Sequence, residues 1–147
     1  MTANQPVTIV MIEDDQGHAR LIEKNIRRAG INNEIRHFLD GGSALKFLYE
    51  APDGPALNGP SLILLDLNLP DMSGTDILER VKSDPALKLT PVVVLTTTDD
   101  KQEIQRCYDL GCNVYITKPV NYESFADAIR QLGLFLSVIQ VPGVPES

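Results

Sequence analysis

Short aliphatic runs alternate with amphipathic stretches along most of the chain. Residues 7–12, 62–65 and 91–96 are dominated by Val, Ile and Leu and are too short for helices. Such runs are the pattern of strands buried on both faces of a sheet. Residues 34–38 and 114–117 give two shorter strands. Residues 16–29 carry Ala19, Leu21, Ile22 and Ile26 near helical spacing, and Gly30 supplies a stop. Residues 42–49 place Ala44, Leu45 and Leu48 on one helical face, and residues 74–83 do the same with Ile77, Leu78 and Val81 before Asp84-Pro85. A fourth helix over 100–110 ends at Gly111, and Asn121 can cap a last one running to about Ile139. Residues 51–60 hold three prolines and two glycines and predict a long loop. Residues 68–73 predict a second loop.

Five strand–helix units in regular alternation predict an α/β fold: a three-layer, doubly wound sheet of five parallel strands with helices on both faces. In such sheets the functional crevice lies beyond the carboxyl ends of the strands. The polar residues fall there. Glu13-Asp14-Asp15 follow the first strand, Asp66 the third, Thr96 closes the fourth, and Lys118 follows the fifth.

Composition narrows the picture. A chain of 147 residues with 43% hydrophobic and 22% charged residues is the size and make-up of one domain, with its core over 7–140 and a tail at 141–147. The net charge of -7, with no basic stripe, argues against a nucleic-acid partner. No apolar run approaches a membrane span, and the first residues lack the apolar core of a signal peptide, so a cytoplasmic location is expected. Cys107 and Cys112 match no metal motif and read as buried or half-buried thiols.

The acids carry the chemistry. Carboxylates gathered at one sheet edge repel each other, and a hard divalent cation relieves that cost. Glu13, Asp14 and Asp66 suit Mg2+, which serves phosphate chemistry. Lys118 can pair with an oxyanion, Thr96 offers a hydroxyl and Thr97 a backbone N–H; together they can neutralise a phosphoryl group. A carboxylate can itself accept that group as an acyl phosphate. Asp66, alone on the central strand, is the natural acceptor. Blander roles suit the neighbours: Asp15 faces solvent or caps a helix, His18 lies close enough to the acidic cluster to approach the pocket but reads first as an exposed first-turn histidine, His37 has no evident partner, and Tyr115 is a packed aromatic.

Glu13-Asp14, Asp66-x-Asn68, Thr96-Thr97 and Lys118-Pro119, in this order and each at a strand end, resemble the receiver domain of two-component response regulators, the CheY-like fold. The resemblance covers about residues 7–140. It implies the strand order 2-1-3-4-5 and a phosphorylated Asp66. It implies that Asp14 and Asp66 ligate Mg2+ directly, Asn68 through its backbone carbonyl and Glu13 through water. Thr96 and Lys118 would contact the phosphoryl group, with Thr96 and Tyr115 as the switch pair. A histidine kinase would be the donor. The protein would transfer and lose its own phosphoryl group without being an enzyme otherwise. The segments 64–70, 94–98 and 115–120, with the long 51–60 loop, resemble the single-domain regulators that partner bacterial phytochrome kinases. Met72-Ser73-Gly74 departs from that subgroup, where charged residues often precede the glycine.

Two rival chemistries on related folds fit less well. An aspartyl-phosphate hydrolase of the haloacid dehalogenase kind needs a second acid two residues after its nucleophile, and Asn68 stands there. A flavin module needs a phosphate-cradling loop after the first strand, where this chain has acids. The C-terminal segment adds one expectation. Leu132, Leu134, Phe135, Leu136, Val138, Ile139 and Val141 exceed one buried stripe and predict a homodimer through the last helix and the tail at 141–144.

Overall fold

The computed structural model describes residues 8–28, 30–50, 61–118, 123 and 127. In chain order the elements are β1 (Thr8–Ile12), α1 (Gln16–Arg28), β2 (Ile35–Phe38), α2 (Gly41–Glu50), β3 (Ser61–Leu65), α3 (Gly74–Ser83), β4 (Val92–Thr96), α4 (Lys101–Leu110) and β5 (Val114–Thr117). All neighbouring strands are parallel, in the order β2-β1-β3-β4-β5. The fold class and the strand order are therefore as the sequence predicts.

Side chains alternate across each strand, and both faces of β1, β3 and β4 are buried. Val10, Ile12, Ile63, Leu65, Val92 and Val94 pack with Ala44, Leu48, Ile77, Leu78, Val81 and Cys107 of α2, α3 and α4. Ile9, Met11, Leu62, Leu64, Val93 and Leu95 face the other way, onto Ala19, Ile22 and Ile26 of α1. Burial on both faces is why these strands read as unbroken apolar runs. Each fully buried aliphatic side chain contributes about 1.5–3 kcal/mol, so these two layers hold the sheet flat against its helices.

Three helix ends follow their capping chemistry. Ser73 caps α3 by accepting from the Thr75 backbone N–H. Asp100, expected inside the fourth helix, is instead its N-cap, accepting from Gln102 N–H. Gly111 closes α4 at φ 111°, a left-handed position suited to glycine. Leu21, expected on the inward face of α1, is 55% exposed, while Asn25 is buried. The stripe at 19, 22, 25 and 26 faces the sheet, and position 21 falls outside it. Cys107 and Cys112 are free and buried; burial pushes their thiols up to about 11 and about 12. No described helix is long and apolar enough to cross a membrane.

The helix expected over 121–139, the tail and the homodimer contact lie outside the described residues, save that Glu123 and Asp127 are helical and exposed.

Candidate functional site

Strand register assembles the site. Ile12 pairs with Leu65, and the Asp66 N–H donates to the Ile12 carbonyl at 3.0 Å. Glu13 and Asp66 thus leave adjacent strands side by side. Thr96 pairs with Thr117, and the Lys118 N–H donates to the Thr96 carbonyl at 2.6 Å. Lys118 therefore emerges beside Asp66 from the far side of β4.

Glu13 and Asp66 are 1% and 5% exposed, whereas Asp14 is open to solvent. Carboxylate oxygens of Glu13, Asp14 and Asp66 lie within 4.8 Å of one another. Opposite corners of a Mg2+ octahedron, with oxygens at 2.0–2.1 Å from the ion, stand about 4.2 Å apart. The three acids fit such an ion with a small closure, and they are the hard oxygen donors it prefers. Burial raises the Glu13 carboxyl above its ordinary value; the Lys118 ammonium opposes this and the Asp66 charge reinforces it.

Lys118 is the counter-charge. Its Nζ donates to Glu13 Oε1 at 2.8 Å and stands 3.6 Å from Asp66 Oδ2. The first is a close ion pair; the second is a charge contact beyond hydrogen-bond reach. Asn68 ties the two central strands together: its N–H donates to Asp66 Oδ1 at 3.2 Å, and its side-chain amide donates to Thr96 Oγ1 at 3.2 Å. Thr96 is fully buried and Thr97 exposed. The Tyr115 hydroxyl donates to the Thr98 carbonyl at 2.7 Å, and burial holds that phenol up at about 12. The aromatic is thus anchored to the segment leaving Thr96.

Asp15 caps α1, accepting from the His18 N–H at 2.9 Å, and that bond holds its carboxyl below the usual carboxylate range. Four contacts escaped the sequence. His18 is not merely exposed, because its Nδ1 lies 3.1 Å from Lys118 Nζ. His37 has a partner: its Nε2 donates to the Glu13 carbonyl at 2.7 Å, fixing the backbone of the acidic cluster. Asp71 accepts from the N–H groups of Gly41 and Gly42 at 2.9 and 2.8 Å, binding the loop after β3 to the start of α2. Gly74 presses on the backbone of Asp66 and Leu67. The Ser-Gly step at a helix start was the available signal for Gly74. His37 carried none, since its partner is distant in sequence, whereas His18 follows the acidic cluster closely enough to be placed near the pocket.

Residues 9–130 match the response regulator receiver domain family. The response regulator Rcp1 of Synechocystis is 33% identical over 141 residues, covering 95% of this chain and 96% of that protein. A solved response regulator receiver domain from Rhodospirillum rubrum is 69% identical, with a TM-score of 0.76, covering 90% of this chain and 94% of its own. The phosphorylated cyanobacterial phytochrome response regulator RcpA is 35% identical, with a TM-score of 0.74, covering 90% of this chain and 95% of its own.

Proposed function

The chain belongs to the response regulator receiver domain family, and from that premise we propose that Asp66 takes a phosphoryl group from a phosphohistidine of a histidine kinase. The observation that carries this reading is the meeting of one strand-end aspartate with two further acids and a lysine. One Asp66 carboxylate oxygen attacks phosphorus in line. The N–P bond of phosphohistidine breaks, and its electron pair returns to the imidazole nitrogen. Glu13, Asp14, Asp66 and the Asn68 backbone carbonyl would hold Mg2+, which when bound offsets charge on the transferring group. Rcp1 has been crystallised with Mn2+, which supports a divalent cation here.

Lys118 supplies the opposing cation. It stands 3.6 Å from Asp66 Oδ2, within reach of an oxygen carried on that atom. The new group adds about two negative charges. The Thr96 hydroxyl, which now accepts from Asn68, would turn to donate to it. The Tyr115 hydroxyl is bound to Thr98, two residues beyond Thr96, so movement of that segment reaches the aromatic directly. Phosphorylation would bias an equilibrium between two arrangements of this segment and so alter the surface around α4 and β5. Output is then partner binding.

The likeness to Rcp1 and RcpA supports a phytochrome kinase as the donor. Transfer from an autophosphorylated bacterial phytochrome kinase tests the assignment. Label should pass to the wild type within minutes and should not reach Asp66→Asn; transfer to both proteins, or to neither, contradicts it. The hydrolase alternative is disfavoured by Asn68, whose side-chain amide donates to Thr96 and cannot shuttle a proton.

A further inference from the structure

We propose that His18 is a positioning residue for Lys118, aiming its ammonium at the phosphoryl group on Asp66. The inference rests on the phosphoryl-acceptor reading above and adds a residue to it.

An ammonium has three donors and no lone pair, so in the 3.1 Å contact Lys118 Nζ donates and His18 Nδ1 accepts. The ring proton then sits on Nε2. Glu13 Oε1 takes a second donor at 2.8 Å. Two fixed acceptors stop rotation about the lysine's last bond, and the third donor is left for the Asp66 side. There Oδ2 is 3.6 Å away, a gap that an oxygen on Asp66 would close. Lys118 thus arrives aimed before the phosphoryl group does, which is how preorganised donors lower a barrier.

The backbone that carries the ring is itself held. The His18 backbone N–H donates to Asp15 Oδ1 at 2.9 Å, so the N-cap of α1 fixes the base of the side chain. His18 Nδ1 lies 3.8 Å from Glu13 Oε2, beyond hydrogen-bond reach, while Lys118 uses the other oxygen of that carboxylate. Lys118 is 10% exposed and His18 46%, which places the imidazole at the rim, over the lysine. A histidine in the first turn of α1 therefore orients a lysine 100 residues away, across the crevice.

Two variants separate this role from packing. His18→Leu fills similar space without an acceptor. His18→Asn places an amide oxygen near the position of Nδ1. With acetyl phosphate and Mg2+, phosphoryl uptake should fall on the order of 3- to 10-fold in the Leu variant, the size expected for one hydrogen bond to a charged donor at a half-open site. The Asn variant should recover most of the rate. In a Lys118→Met background His18→Leu should cost nothing further, because the two act as one unit. A second readout needs no phosphoryl group or metal: the 15N-edited signal of the Lys118 ammonium, sharpened by hydrogen bonding, should be lost in the Leu variant and kept in the Asn variant. Wild-type uptake in the Leu variant, equal loss in both variants, or an unchanged ammonium signal would overturn the proposal. A wild type that takes up no phosphoryl group overturns the parent reading together with this one, whereas a phosphorylated wild type with indifferent variants overturns this one alone.

Discussion

Gly74 lies directly against the backbone of Asp66. A Cβ at position 74 would collide with the Asp66 carbonyl oxygen and stand 2.7 Å from the Leu67 Cα, while the Gly74 N–H donates to the Leu67 carbonyl at 2.9 Å. The start of α3 thus braces the end of β3 where the acceptor aspartate sits. Gly74→Ala should cost about 1–3 kcal/mol, the usual penalty of overpacking. It should also slow phosphorylation by displacing Asp66. Urea denaturation and phosphoryl uptake measured together check this; an unchanged midpoint with full uptake would show that the backbone yields freely.

Removing the counter-cation should make the site depend on metal. Lys118→Met leaves Glu13 and Asp66 buried without their ion-pair partner. The metal-free variant should lose about 3 kcal/mol, as when one member of a buried pair is deleted. Added Mg2+ should raise its melting temperature more than that of the wild type, because binding to the folded state stabilises by mass action. Equal responses to Mg2+ in the two proteins would argue that Lys118 and the cation do not share the acids.

Asp71 gives a pH signature away from the metal. The Gly41 and Gly42 N–H groups hold its carboxyl below the ordinary value of 3.8. A depressed folded-state value means the contribution is present above about pH 3.8 and is lost as pH falls through the lower folded value. Asp71→Asn should therefore lower the urea midpoint at neutral pH, and the gap from wild type should narrow in acid below that point. A gap independent of pH would assign the effect to something other than the carboxylate charge.

The two thiols should be inert in the native protein. Both are buried, with values pushed up to about 11 and about 12, so thiolate is scarce near neutral pH. A disulfide reagent at mildly alkaline pH should find no fast-reacting thiol in the folded protein and two after denaturation. A rapid native reaction would contradict the packing around α4 and β5.

Most of the fold was legible because burial on both faces turned β1, β3 and β4 into apolar runs, and because Gly30, Asp84-Pro85 and Gly111 punctuate the helices. The positions of Glu13, Asp14, Asp66, Thr96 and Lys118 followed from strand ends, since parallel strands in register bring their carboxyl ends to one edge. Less legible were contacts made between distant segments. Leu21 and Asn25 differ from the expected helical face because the stripe rotates toward 25 and 26. His37 meets Glu13, and His18 meets Lys118, only once the sheet has formed. Gly74 was readable as a helix start, but its closeness to Asp66 depends on how α3 packs.

The central claim is that Asp66 is a Mg2+-dependent phosphoryl acceptor, and intact mass after incubation with acetyl phosphate tests it most directly. The wild type with Mg2+ should gain one phosphoryl group, gain none when Mg2+ is chelated before the donor is added, and show none in Asp66→Asn. No adduct on the wild type, or the same adduct on Asp66→Asn, would contradict the account.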